Sequence, residues 1–222
     1  MSTSHGPLAH QFDDLAQQKE AVTLGMWAFL ATEVMFFGGA FAAYAVCRDA
    51  YPEAFAAASN QENWWIGALN TGVLLCSSLT MALAVWRAQY GDNRGVIRFV
   101  GLTALAATIF LGVKAYEYTH LIVHDHAPFL SSFQFDPPQF ADGARLFLSF
   151  YFFVTGLHAT HMVVGLGLMT WLVLKARRGE FTPANYNPVE VIGLYWHFVD
   201  IVWIFAYPLF YLVDRTAAAA GH

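Results

Sequence analysis

The side chains that could do chemistry are a few ionisable residues set within long apolar stretches. Glu33 lies near the middle of LGMWAFLATEVMFFGGAFAAY, with no basic residue within a helical turn. An ionisable group at membrane depth costs at least about 2.5–3.5 kcal/mol, so it normally has a partner or a function. Two interpretations of Glu33 are open. It is either a neutral carboxyl that hydrogen-bonds a neighbouring helix, or a group with a proton-linked or lipid-linked role.

Two pairs of polar residues, each three positions apart, lie in other apolar stretches. His197 and Asp200 occur in YWHFVDIVW, and His158 and His161 occur in TGLHATHMVVG. Residues three apart share a helix face, so we expect His197 and Asp200 to form a polar clasp between helices. Orientation of a metal-bound imidazole by Asp200 is the alternative. Histidines on facing helices could also hold haem, but the small residues around His158 and His161 favour close helix packing.

Lys114 and Glu117, in FLGVKAYEYTH, can pair at i,i+3 near the end of an apolar stretch. We predict that Lys114 extends toward the lipid headgroups, which keeps its charge in water. A di-metal site of the ferritin type would need Glu-x-x-His motifs on two helices, which the sequence does not supply. Cys47 and Cys76 form no CxxC pair. The sequence therefore predicts no metal ligands and no disulfide framework.

Small residues recur at helical spacing in two of the apolar stretches. They are Gly38 with Ala42, Gly39 with Ala43, Gly165 and Gly167. Small side chains allow helices in a membrane to approach closely. The pattern predicts assembly, within the chain or with a partner.

The composition is that of a chain surrounded mostly by lipid. Of the 222 residues, 57% are hydrophobic and 12% charged, against about 45–50% and 25% in soluble domains. So few charges could not cover the surface of a soluble globule, and disorder would need the opposite balance. The net charge of −5 argues against nucleic acid as a partner, because nucleic-acid binding needs clustered Lys and Arg.

Five stretches have the roughly 20 apolar residues that a transmembrane helix needs. Their continuous hydrophobicity favours helices over barrel strands, because barrel strands alternate. The predicted spans are Thr23–Cys47, Trp64–Trp86, Ile97–Tyr118, Leu146–Leu174 and Val191–Val213.

Charge places the ends of the chain relative to the membrane. Residues 1–22 form a polar tail without the basic start of a cleavable signal, residues 23–213 one transmembrane domain, and residues 214–222 a second short tail. Lys and Arg concentrate beside the first tail and in the second and fourth connections. The positive-inside rule therefore predicts a cytoplasmic N-terminus and an outer C-terminus.

Several stretches, in order, resemble subunit III of the haem–copper oxidases, most closely the cytochrome c oxidase form. LGMWAFLATEVMFFGGAFAAY resembles that family's helix with a mid-membrane glutamate, which falls on Glu33. FLGVKAYEYTHL resembles its Glu-Tyr segment at Glu117 and Tyr118, TGLHATHMVVGL its helix with two histidines, and YWHFVDIVWIFAYPLFYL its last helix. The likeness extends from about Ala21 to Leu212.

The resemblance implies an all-α polytopic membrane protein of the short bacterial form, with five of the family's seven helices in a V-shaped bundle. The missing pair is carried in some members by the catalytic subunit. No haem or copper is expected in this chain, since both belong to the catalytic subunit I and the copper-carrying subunit II. Phospholipids fill the cleft of such a subunit.

The implied activity is that of a subunit without redox chemistry in the bacterial inner membrane. It supports proton uptake and oxygen access, with Glu33 beside the route and Glu117 as a second linked position. Two alternatives stay open. The chain could serve a quinol oxidase or nitric oxide reductase complex, or it could be an independent haem-b cytochrome that uses His197 with His158 or His161.

Overall fold

The computed structural model describes residues 12–123, 128–129, 133 and 135–213, and these are helical with short connections. The predicted tails at residues 1–11 and 214–222 lie outside the described residues. The six α-helices are α1 (Leu15–Ala50), α2 (Pro52–Gln61), α3 (Trp64–Gln89), α4 (Asn93–Val123), α5 (Ala141–Arg177) and α6 (Asn187–Tyr211), with a single 3₁₀ turn at Pro138–Phe140.

Five of these helices, α1 and α3 to α6, are long and apolar enough to cross a membrane. The prediction of an all-α protein with five spans is therefore confirmed. Most helix ends lie beyond the predicted bounds, because polar residues continue the helices. The exceptions are the start of α3, at Trp64 as predicted, and the end of α6, at Tyr211. The short helix α2 was not predicted, since it lies in a connection rich in polar residues.

Local sequence explains where the helices begin and end. The Asp14 carboxylate accepts a hydrogen bond from the Gln17 amide at the start of α1, and the Asn63 side chain accepts from the first turn of α3. Gly91 and Gly179, just beyond α3 and α5, both have φ near +71°. Glycine takes that left-handed conformation without a Cβ clash, so these residues end the helices.

Helix α6 is the centre of the bundle. It packs on α1, α2, α3 and α5, while α4 packs on α3 and α5. Two-thirds of the apolar stretch of α6 is buried (67%), against 17% for α1. Trp196, Trp203 and Phe210 are at most 1% exposed. Among the described helices, α1 contacts only α2, α5 and α6, so most of its surface is left for lipid or another protein.

The short helix α2 closes one end of the bundle. Its Phe55 is fully buried between the rings of Tyr44 and Phe147, and the Ser59 hydroxyl donates to the Phe210 carbonyl at 2.9 Å. This packing attaches α2 to α1, α5 and α6 and brings the residues that follow it against the end of α4.

Two glycines mark close contacts between the long helices. A Cβ on Gly165 would lie 2.8 Å from the Trp196 ring, and a Cβ on Gly67 the same distance from the Tyr207 ring. The prediction for Gly165 is confirmed. A Cβ on Gly38, Gly39 or Gly167 would meet nothing within 4 Å in the described chain, because these faces turn outward. For these three glycines, assembly with a partner stays a prediction. The V-shaped arrangement stays a prediction.

Candidate functional site

Glu33 contacts a residue of another helix, which the sequence around Glu33 does not show. Its Oε2 lies 3.3 Å from Nε2 of His161, which joins α1 to α5, and both side chains are mostly buried. Nδ1 of His161 contacts the Leu157 carbonyl at 3.0 Å. A carbonyl only accepts, so Nδ1 carries a hydrogen and Nε2 faces the carboxyl.

The surroundings of this pair are apolar and fixed by α6. The Tyr195 hydroxyl donates to the His161 carbonyl at 2.9 Å, and the Phe37 ring lies 5.7 Å from the imidazole. Low polarity strengthens an interaction between a carboxyl and an imidazole. The Glu33–His161 pair is thus a polar contact that joins α1 to α5.

His197 and Asp200 do not bond each other. Nδ1 of His197 pairs with the Ser78 hydroxyl on α3 at 2.7 Å. Asp200 is 2% exposed, and neither of its oxygens has a hydrogen bond of good geometry, although Ser78 lies near. The imidazole nitrogen turns toward α3 instead, so only His197 of the predicted pair forms a polar contact between helices. The contact between helices runs from His197 to Ser78.

His158 is enclosed by aromatic rings. It is 1% exposed, with the Phe110 and Trp203 centroids 5.5 and 5.2 Å from its own, and neither ring nitrogen has a hydrogen-bond partner. His161 and His197 each have a different partner. These three histidines do not fit a haem between them. Within the described residues, no three His, Cys, Asp or Glu side chains form a group that could hold a metal ion.

Lys114 lies inside the bundle, so the prediction that it reaches the headgroups is wrong. It is 4% exposed, and its Nζ donates to Glu117 Oε2 at 2.6 Å and to the hydroxyls of Tyr211 and Tyr151. The Trp203 ring lies 4.5 Å from Nζ. A carboxylate, hydroxyl oxygens and a ring face together replace the water that an ammonium otherwise needs. The expected Lys114–Glu117 pair is confirmed.

Glu62 joins this cluster and was missed from the sequence. It lies between α2 and α3, in a polar connection, and is 6% exposed. Burial raises the pKa of Glu62 to about 7; the charge of Glu117 raises it further and that of Lys114 opposes the rise. A partly open cavity of about 250 Å³ separates Glu62 from the end of α4, where Glu117 and His120 line it. Tyr151, Tyr211 and Ser78 were missed as well, since single hydroxyls in apolar stretches carry no signal of their own.

Five membrane-crossing helices, held together by polar pairs in their interior, define a multi-pass helical membrane protein. The model of one family, described as cytochrome c oxidase subunit III, matches residues 9–214. The chain belongs to this family, which confirms the resemblance seen in its motifs.

Curated relatives agree with the assignment. Cytochrome c oxidase subunit 3 of Corynebacterium diphtheriae is 34% identical over 202 residues, which cover 87% of this chain and 88% of that protein. A probable cytochrome c oxidase subunit 3 of Nocardia farcinica is 33% identical over 192 residues, covering 86% and 88%. Cytochrome bo(3) ubiquinol oxidase subunit 3 of Pseudomonas putida is 28% identical over 196 residues, covering 87% and 86%. The chain is thus a subunit III of the haem–copper oxidases, part of an oxidase complex.

Proposed function

We propose that this chain is the non-redox subunit III of a proton-pumping cytochrome c oxidase in a bacterial plasma membrane. The observation that carries the proposal is the match over residues 9–214 to the cytochrome c oxidase subunit III family. Relatives at 33–34% identity bear the name of the cytochrome c form. The complex transfers electrons from reduced cytochrome c to oxygen and moves protons across the membrane.

The partners of the chain are the catalytic haem–copper subunit I and the copper-carrying subunit II. Support for an intramembrane partner comes from α1, whose apolar stretch is only 17% buried by the rest of the chain. The electron-transfer groups belong to those partners. The histidines of α5 and α6 support this division, because their rings are enclosed by aromatic side chains or bonded to Glu33 and Ser78.

The Glu33–His161 pair is the site at which subunit III acts on proton uptake, lipid and oxygen access. The pair lies between α1 and α5, at positions that are 20% and 15% exposed. Oxygen is apolar and partitions into hydrocarbon, so a lipid-filled path along α1 is easier for it than a wet pore. A group that holds one proton beside such a path can respond to the state of the neighbouring subunit.

The N-terminus faces the cytoplasm.

Purification through a tag on this chain in mild detergent tests the proposal. We expect other oxidase subunits to copurify, with haem absorption bands and oxidation of reduced cytochrome c by oxygen. Recovery of the chain without any haem–copper partner would contradict it. A Soret band from the chain expressed alone would instead identify an independent cytochrome.

A quinol oxidase is the second candidate. It is favoured by one observation, the ubiquinol oxidase subunit 3 of Pseudomonas putida at 28% identity. The same purified complex separates the two candidates. A cytochrome c oxidase carries a dinuclear copper centre and turns over cytochrome c, whereas a quinol oxidase turns over quinol without that centre.

A further inference from the structure

The cavity between the start of α3 and the end of α4 is lined by two acidic residues that are almost fully buried. Glu62 is 6% exposed and Glu117 7%. In each of them Oε1 is buried and has no hydrogen-bond partner. A buried carboxylate oxygen without a donor costs free energy, so an unpaired oxygen beside a cavity indicates a ligand that supplies a hydrogen.

The charges of this cluster do not balance when both glutamates are ionised. Lys114 supplies one positive charge and already bonds Glu117 Oε2 at 2.6 Å. Among the described residues, no second Lys or Arg side chain of the cluster neutralises the negative charge that Glu62 then adds. The remaining polar groups packed on the cluster are the Tyr118, Tyr151 and Tyr211 hydroxyls and the His120 side chain at the cavity wall. Two carboxyls that share one site hold a proton more tightly than separate ones.

A proton fits the site better than a metal ion. In the described chain, the acidic and histidine side chains around the cavity do not form a group of three that could coordinate a metal. The nearby Lys114 ammonium also repels a cation. Water that enters the cavity can deliver a proton, because the space of about 250 Å³ is partly open and Glu62, Glu117 and His120 line it.

We propose that Glu62 and Glu117, together with Lys114, form a proton-binding site at the α2 end of the bundle. The site holds one proton on the Glu62 carboxyl below neutral pH and exchanges it with water in the cavity. When the proton leaves, it passes from the Glu62 carboxyl to cavity water, and Glu62 becomes a carboxylate. The Glu62 pKa of about 7 agrees with this geometry. The site is separate from the Glu33–His161 pair and stands whichever electron donor the complex uses.

Infrared difference spectroscopy on the purified complex tests the site. Spectra taken across a pH series should contain a carbonyl band of a protonated carboxyl that is lost with a midpoint near pH 7. The band should be absent in Glu62→Gln. It should persist in the control Glu53→Gln, which removes an exposed carboxyl from α2. A band that survives in Glu62→Gln would overturn the proposal.

Two further variants separate a shared proton from a merely structural glutamate. Glu117→Gln removes a neighbouring negative charge, so the midpoint should move to lower pH. Lys114→Met removes a positive charge, so the midpoint should move to higher pH. Haem content of each complex reports on folding, and Glu117→Gln suffices if Lys114→Met fails to assemble. An unmoved midpoint would overturn the proposal, as would a metal ion in the wild-type complex that is lost mole for mole in Glu62→Gln.

Discussion

At the scale of single residues, three ionisable groups of the bundle interior each meet a partner from another helix or from their own turn. Glu33 meets His161, His197 meets Ser78, and Lys114 meets Glu117. The cost of burying each group is offset only while its partner is present. The effect of replacing one of these residues on stability should therefore depend on the partner that is left buried without a contact.

Glu33→Gln should leave assembly and haem content unchanged, because an amide can still donate a hydrogen bond to His161. It should change proton uptake or shorten the active lifetime during turnover, because an amide cannot release a proton. Steady-state turnover, proton pumping and inactivation kinetics provide the measurement. Glu20→Gln, an exposed change on the same helix, is the control. If turnover, pumping and lifetime all match the wild type, Glu33 has a packing role and no proton-linked role.

Lys114→Met should destabilise the bundle by about 3–5 kcal/mol, the usual cost of leaving one partner of a buried pair. Adding Glu117→Gln should restore part of the loss, because the orphaned charge is then removed. Lys175→Met breaks a pair with Glu180 that is about one-third exposed and should cost under about 1 kcal/mol. Thermal unfolding of the detergent-solubilised complexes compares them. Equal losses at Lys114 and Lys175 would contradict a buried cluster.

Glu62 should make stability depend on pH. Its pKa rises from 4.5 in the unfolded chain to about 7 in the folded one. The contribution of Glu62 to the free energy of unfolding is therefore complete below pH 4.5 and is lost as the pH rises toward 7. The loss is up to roughly 3 kcal/mol, at 1.36 kcal/mol per pKa unit. Between pH 4.5 and 7 the free energy of unfolding of the wild type should fall relative to that of Glu62→Gln. Above pH 7 the difference between the two proteins should stay constant. Unfolding midpoints of both proteins in a pH series check this, and parallel curves would refute it.

At the scale of helices, the apolar stretches alone predict the number and type of the membrane-spanning elements. Hydropathy found the spans because lipid requires continuous apolar surface. It did not find α2, whose burial depends on Phe55 and Ser59 reaching residues far along the chain. Spacing on one helix predicted the Lys114–Glu117 pair. Spacing along one helix could not predict the contact between Glu33 and His161, since that contact depends on how α1 packs against α5.

Gly165 should tolerate a methyl group far less well than Gly167. The two glycines lie on the same helix. Within the described residues only Gly165 faces a neighbour, the Trp196 ring, which would lie 2.8 Å from an added Cβ. Gly165→Ala should cost about 1–3 kcal/mol through overpacking. Gly167→Ala should be neutral or slightly stabilising, because alanine favours helix. Thermal unfolding of the two complexes gives the comparison, and similar midpoints would show that α5 and α6 can separate without cost.

At the scale of the whole molecule, burial is uneven. The apolar stretch of α6 is 67% buried and that of α1 17%. A helix so little covered by its own chain needs lipid or another subunit beside it. The same unevenness is why the sequence could not place α1: all five spans are similarly apolar, and hydropathy does not tell a central helix from a peripheral one.

Expressed without other oxidase subunits, the chain should aggregate or be degraded in mild detergent. Coexpression with the catalytic subunit should recover it, because α1 then gains a neighbour. Size-exclusion chromatography and yield compare the two preparations. A monodisperse, helical monomer obtained from the chain alone would contradict the expectation.

The burial of Lys114 affects how the membrane boundary on α4 is read from the sequence. A charged residue in a hydropathy profile is usually placed at the water boundary, yet Lys114 is 4% exposed and α4 continues to Val123. Nine further residues extend the helix by roughly 14 Å at 1.5 Å each. The position of this ammonium therefore cannot serve as the marker of the membrane boundary on α4, because protein groups and not water surround its charge.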